Sequence, residues 1–395
     1  MRIVSADIYD VQITPEWPHW NPVILRLTTD EGIYGVGEVA LAYGTGSAGG
    51  LGMLKQMVER FVLGSEAERI EAIWHKLFRG TFWAQGGGPL VYGAMSAIDE
   101  ALWDIKGKAL GKPVCELLGG KTQDTIRVYA NGWYTKHIPG KGRVSCNTPE
   151  EYAEAAQRVV DDGYNALKFD PFAVRPDGVW EYPERALSKE RADLAYARVA
   201  AVREAVGPDV DILIEVHGNL GVTSAIEMGR RFAELDPFFY EEPVDAMNVE
   251  CMLKVSQNVP IPIAAGERLH TRYGFREYIE KQALDILQPD MGLAGGITEV
   301  KKIAAYAETY NLHIQPHNCA GPIATAASVQ LDACITNFII QEWFPYREPA
   351  FYELVEEAFE PQAQDSLFTI PDKPGLGVTL NEKIIARYPC IHLGK

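Results

Sequence analysis

The chain has 395 residues, 47% apolar and 23% charged, which excludes a disordered polypeptide and allows a large core beside an accessory unit. Its 54 acidic and 37 basic residues leave a net charge of −17, which disfavours nucleic acid and anionic membranes as partners. The six cysteines form no CxxC pair, no apolar run approaches 18 residues, and the charged, alternating N-terminus reads as a strand instead of a signal peptide, so a cytoplasmic protein is expected.

The first 40 residues read as β structure. Ile3 to Ile13 alternates imperfectly, and Val23–Leu27 and Ile33–Val39 flank the turn signal Asp30-Glu31-Gly32. Residues 41–50 are glycine-rich without helix or strand period. Helical patterns follow over Leu51–Leu63, Glu66–Phe78 and Tyr92–Leu110, the last stopped by Gly111-Lys112-Pro113. A second glycine segment, 81–88, carries Phe82 and Trp83. This first α+β unit is expected to close near residue 124.

From there short apolar runs alternate with amphipathic helices. The runs are Ile126–Ala130, Ala166–Phe169, Ile212–Val216, Phe238–Tyr240, Ile261–Ala265, Ile286–Gln288, His313–Gln315 and Phe338–Ile340. The helices include Pro149–Val160, Lys189–Val206, Ser224–Leu235, Thr298–Tyr310 and Ile323–Ala333. This rhythm predicts a closed parallel barrel over residues 125–370. An open doubly wound sheet is the alternative, but the first run is followed by Asn131-Gly132-Trp133, not by a glycine-rich nucleotide turn. Residues 371–395 lose the rhythm and are expected to return to the N-terminal unit.

Each run from the third to the eighth ends in a polar residue: Glu215, Glu241, Glu267, Asp290, His317 and Glu342. The spacings are 26, 26, 23, 27 and 25 residues. In a barrel these positions share one face, where active sites are built. Helix caps would also place acids after strands, but caps seldom recur as Glu, Asp and His at such constant spacing. Carboxylates of Glu215, Glu241 and Glu267, on consecutive strands, would repel strongly unless a hard cation bound them, and all-oxygen ligands favour Mg²⁺. Glu242, next along the strand, should point elsewhere. Asp290 and His317, on adjacent strands, suit an imidazole base held by a carboxylate. His217 shares the strand face of Glu215 and could donate a proton to a leaving group; a structural histidine is the alternative. His270 and His313 read as packing or binding residues.

The motifs Ile214-Glu215, Tyr240-Glu241-Glu242-Pro243, Gly266-Glu267-Arg268, Gln288-Pro289-Asp290 with Gly295-Gly296, and Pro316-His317 together resemble the enolase superfamily, mandelate racemase subgroup. Ser96-Ala97-Ile98-Asp99, Leu102 to Lys108 and Gly375-Leu376-Gly377 extend the resemblance over nearly the whole chain. It implies a modified (β/α)₇β barrel, a capping domain built from residues 1–124 and the C-terminal tail, one Mg²⁺ on Glu215, Glu241 and Glu267, an Asp290–His317 base and a homo-oligomer. It also implies abstraction of a proton alpha to a carboxylate, which needs an electrophile to hold the enediolate.

Two departures narrow the chemistry. The racemase pattern ends its second strand in Lys-x-Lys, whereas this chain has Lys168-Phe169-Asp170, so the opposing base is missing. Glu215-Val216-His217 resembles the acid-bearing motif of galactonate dehydratases, with Glu for the usual Asp. Asp290 separates the chain from the mannonate dehydratases, whose sixth strand lacks that partner. The expected activity is dehydration of an acid sugar. His317 takes the C2 proton, Lys168 and Glu342 help stabilise the enediolate, and His217 assists loss of the 3-hydroxyl. A 2-hydroxy-acid epimerase and a catalytically idle sugar-acid-binding barrel are the alternatives. Specificity is expected from loops at 15–22, 41–50 and 81–88, with Trp17, His19, Trp20, Tyr43 and Trp83 as candidate contacts, and from the segment Pro171–Leu187.

Overall fold

The computed structural model describes residues 1–13, 21–41, 45–138, 142–356 and 365–394. Strands β1 (Ile3–Asp10), β2 (Val23–Thr29) and β3 (Tyr34–Val39) form an antiparallel sheet. The β2–β3 turn uses Gly32 at φ +80°, where a side chain would be strained. Helices α1 (Ser47–Met57), α2 (Ile70–Gly80) and α3 (Pro89–Leu110) cover the sheet, and the short α4 (Val114–Leu117) follows. Gly37 lets β3 lie directly on α3, since a Cβ there would come within 1.9 Å of the Ala97 carbonyl oxygen. The glycine-rich stretch at 41–50 thus turns helical from Ser47, because Gly50 and Leu54 pack into the sheet core despite weak propensity. The second helix begins at Ile70, four residues later than its pattern suggested.

The barrel follows. Its strands are β4 (Thr125–Ala130), β7 (Ala166–Phe169), β8 (Asp211–Glu215), β9 (Phe239–Glu241), β10 (Ile263–Ala265), β11 (Ile286–Leu287), β12 (His313–Ile314) and β13 (Gln341–Trp343). A hairpin of β5 (Thr135–Ile138) and β6 (Gly142–Ser145) stands between the first two barrel strands. The intervening helices are α5 (Pro149–Asp161), α6 (Lys189–Val206), α7 (Val222–Phe232), α8 (Val249–Ser256), α9 (Thr271–Glu280), α10 (Gly296–Glu308) and α11 (Pro322–Asp332). The parallel order β12-β11-β10-β9-β8-β7-β4-β13 is closed by a bridge from Ile314 to Phe338, just before β13, giving the expected (β/α)₇β arrangement. Local signals account for several boundaries. Thr148 and Glu151 form a capping box at α5, and Ser188 caps α6. The eighth strand is displaced from the expected Phe338–Ile340: Phe338 makes only an isolated bridge to Ile314, and the strand itself is Gln341–Trp343, which pairs with β4. Helices α8 and α9 and the β5–β6 hairpin escaped the sequence reading; α8 has only eight residues.

The chain ends in β14 (Leu367–Thr369), α12 (Glu382–Ile385) and β15 (Cys390–Gly394). β14 pairs with β4, and β15 returns to pair with β1, completing the capping-domain sheet. The two domains meet at buried polar contacts. Glu38 of β3 accepts the amides of Gly321 (2.6 Å) and Ala324 (3.2 Å) at the start of α11. Asp99 of α3 accepts the Thr298 amide (2.9 Å), and Ser96 Oγ accepts the Gly295 amide (3.0 Å), both at the start of α10. The cap thus grips the two helices that follow Asp290 and His317.

Candidate active site

The barrel interior fixes which residues face the site. Tyr129, Ala166, Leu213, Phe239, Ala264, Ile286 and Ile340 form a buried apolar plug, one residue from each of seven strand segments. Side chains alternate along a strand. Two residues beyond the plug lie Lys168, Glu215, Glu241, Gln288 and Glu342; two further along lie Asp170 and Asp290. The plug and the polar site are therefore successive layers of one period-2 pattern. Glu267 breaks the parity. Gly266 lies at φ +152° against the Gln288 backbone, where a Cβ would approach within 2.7 Å, and this local twist turns Glu267 inward.

Glu215, Glu241 and Glu267 each offer a carboxylate oxygen, and the three atoms lie within 4.8 Å of one another. Glu241 Oε2 is buried and finds no hydrogen-bond donor among the described residues. Three clustered hard oxygens with one unsatisfied lone-pair site fit a divalent hard cation. Burial and repulsion from Glu215 push the Glu241 pKa well up, and burial raises that of Glu267. Burial would also raise Glu215, but His217, Lys168 and the His217 amide (2.7 Å) hold it below its usual range. Glu242 points away, as its parity requires: its side chain meets the Arg268 guanidinium, which also lies 2.7 Å from Glu267.

Lys168 Nζ lies among the carboxylates of its own layer, 2.6 Å from Glu241, 3.0 Å from Glu342 and 3.1 Å from Glu215. Burial opposes its charge, yet Glu241 and Glu342 hold its pKa well above the usual value. Glu342 is fully buried and accepts from Asn131 Nδ2 (2.7 Å) and the Asn318 amide (2.9 Å). Burial disfavours its charge, but Lys168, His317 and these donors bring its pKa down to about 2.

His317 Nδ1 lies 2.6 Å from Asp290 Oδ2, and its Nε2 is 3.1 Å from Glu267. Burial would lower its pKa, but Cys319, Glu267 and Glu342 raise it well above the ordinary histidine value. Cys319, buried near this imidazole, is one of the six scattered thiols, to which sequence reasoning gave no part in the site. His217 lies beyond the end of β8 at φ +53°, so a turn and not the strand period sets its direction. That conformation costs a non-glycine residue about 1–2 kcal/mol. His217 Nδ1 lies 2.6 Å from Asp170 Oδ2. Asp170 is the principal residue that sequence reasoning left without a role, although its period-2 spacing from Lys168 placed both on one face.

Other candidates lie further out. Trp83 stands on a short turn, 74% exposed and edge-on to Phe82, with ring centroids 4.9 Å apart. A cavity of about 570 Å³ lies beside this segment, lined in part by Phe78, Tyr92, Arg268 and Tyr273. His270 donates from Nδ1 to the Leu293 carbonyl (2.9 Å) and packs on Tyr92. Trp17, His19, Trp20 and Tyr43 lie outside the described residues. No described helix is long and apolar enough to cross a membrane.

Comparison with known proteins agrees with this geometry. Residues 19–119 match the family model described as mandelate racemase / muconate lactonizing enzyme, N-terminal domain, and residues 151–384 match the enolase C-terminal domain-like model. The chain is 35% identical to a D-galactonate dehydratase of Variovorax paradoxus, over 98% of this chain and 94% of that one. It is 34% identical to a D-gluconate dehydratase of Thermoproteus tenax, over 96% of this chain and 72% of that one. A crystal structure of an enolase superfamily member from Salmonella Typhimurium superposes with a TM-score of 0.93 at 42% identity, covering 99% of both chains. The chain belongs to the enolase superfamily, in its mandelate racemase and muconate lactonizing enzyme branch.

Proposed function

We propose that the protein is a Mg²⁺-dependent dehydratase of an acid sugar, which removes the C2 proton and the 3-hydroxyl of an aldonate to leave a 2-keto-3-deoxy acid. The observation that carries this reading is the carboxylate triad flanked by two imidazoles, His317 and His217, each held by an aspartate at 2.6 Å. The names of the D-galactonate and D-gluconate dehydratases that the chain resembles support it. Glu215, Glu241 and Glu267 would hold the Mg²⁺, which supplies Lewis-acid stabilisation of charge on the substrate carboxylate and offsets the anionic field on His317.

The residues divide the work. Asp290 fixes the His317 ring through Nδ1, leaving Nε2 to take the C2 proton. The Lys168 ammonium is a preorganised positive charge for the enediolate oxygens. Glu342 holds Lys168 and the Asn318 loop in place and through Lys168 helps to stabilise the enediolate. His217 donates a proton to the departing 3-hydroxyl, which is lost as water, and the resulting enol tautomerises to the ketone. The same reading includes a homo-oligomer and a cytoplasmic location, the latter supported by six cysteines scattered along the chain without a CxxC pair.

A library of acid sugars assayed with Mg²⁺ for 2-keto acid formation tests the reading. Turnover of at least one aldonate is expected. Exchange of the C2 proton without dehydration would instead indicate an epimerase, and tight binding without turnover an idle barrel.

A further inference from the structure

The eight-stranded barrel sets β8 and β12 four strands apart in either direction, and β7 and β11 likewise. His217 and Asp170 follow β8 and β7; His317 and Asp290 follow β12 and β11. Each histidine thus meets an aspartate from the preceding strand, each through Nδ1 at 2.6 Å, and the two pairs face each other across the barrel mouth. Resting on the dehydratase reading, we infer that Asp170 is the positioning residue of the acid: it fixes the tautomer and ring direction of His217 so that Nε2 meets the departing 3-hydroxyl.

The surroundings of Asp170 suit that role. It is fully buried, and its second oxygen, Oδ1, accepts the backbone amides of Phe172 (2.7 Å) and Ala173 (3.1 Å). The carboxylate is therefore locked before it touches the imidazole. An acceptor-only group at Nδ1 requires that nitrogen to carry a proton, which assigns the other nitrogen to the substrate side. The position is costly for His217, whose backbone lies in the left-handed region, so its orientation depends on such restraints. Tyr182 adds a wall, its ring centroid 5.6 Å from that of His217. The amides of Phe172 and Ala173 open the segment 171–187, so the same carboxylate ties this wall to the acid. The position that carries a second lysine in the racemase pattern therefore holds the support of an acid here.

The test compares two leaving groups. Fluoride departs without a proton, whereas hydroxide needs one. Asp170→Asn should lower dehydration of the preferred aldonate about 10²–10³-fold, within the range of a misdirected general acid, while fluoride elimination from its 3-deoxy-3-fluoro analogue stays within a few-fold of wild type. In a His217→Asn background the same substitution should add nothing, because it acts only through that ring. Equal loss of both eliminations, no loss of either, or an additive loss in the double variant would overturn the assignment. Nitrogen-15 histidine spectra decide the matter without turnover. The far-downfield Nδ1 proton of His217 should vanish in Asp170→Asn and persist in His317→Asn; its persistence in Asp170→Asn would contradict the proposal. Failure of the wild type to convert any acid sugar would count against the dehydratase reading alone.

Discussion

His317 Nδ1 lies 2.6 Å from Asp290 Oδ2, and this contact joins the ends of two adjacent strands, β11 and β12. An imidazole so held presents Nε2 to the barrel axis. His317→Asn should therefore reduce both C2 deuterium exchange and dehydration by about 10²–10⁴-fold, with circular dichroism unchanged. Asp290→Asn should reduce both by a smaller factor, because the base remains but loses its restraint. Wild-type exchange in His317→Asn would assign the base elsewhere, with Lys168 the first group to examine.

The triad should bind Mg²⁺ and couple it to stability. Chelation should abolish activity, and Mg²⁺ should restore it. At 100 times its dissociation constant the ion should stabilise the fold by about 2.7 kcal/mol, read as a rise in Tm. Glu241→Gln removes one anionic ligand and should largely erase that rise. Full activity after exhaustive chelation would contradict the metal assignment.

Lys168 is buried among three carboxylates, so removing its ammonium leaves uncompensated charge. Lys168→Met should destabilise the metal-free protein by about 3–5 kcal/mol in urea titrations. Saturating Mg²⁺ should recover part of that loss. An unchanged unfolding midpoint without metal would show that Lys168 does not neutralise the cluster.

Glu38 joins the cap to α11, and its pH response has a defined sign. Burial raises its pKa to about 7, above the range of an exposed carboxyl, although the backbone amides of Gly321, Ala324 and Ile323 favour the anion. The folded state then binds the proton more tightly than the unfolded one, so this group costs stability as pH rises from about 4.5 to 7. Glu38→Gln should gain on wild type across that window, by ~3 kcal/mol at most. Urea titrations of both proteins at pH 5 and pH 8 check it; a difference that does not move with pH would assign Glu38 an ordinary pKa.

Much of the site was legible because barrel strands impose a strict order on their C-terminal residues. Glu215, Glu241, Asp290, His317 and Glu342 fall where the spacing of the apolar runs puts them. Glu267 and His217 reach the same region by different means, a twist at Gly266 and a left-handed turn, which no alternation rule describes. Asp170 needed the fold, because only pairing of β7 with β8 brings it to His217. Helices α8 and α9 were hidden for another reason: they have only eight and ten residues, too short a span to establish a helical period. The grip of Glu38 and Asp99 on α11 and α10 joins residues about 200–290 positions apart and leaves no local trace.

Deuterium content at C2 of unconverted aldonate in D₂O, measured with the His217→Asn variant, tests the division between base and acid most directly. Base and triad stay in place in this variant, so the enediolate should still form and return. Deuterium should enter C2 while 2-keto acid formation falls about 10²–10⁴-fold. Normal dehydration by the variant, or loss of exchange together with dehydration while Mg²⁺ binding is intact, would contradict the stepwise mechanism with His317 as base and His217 as acid.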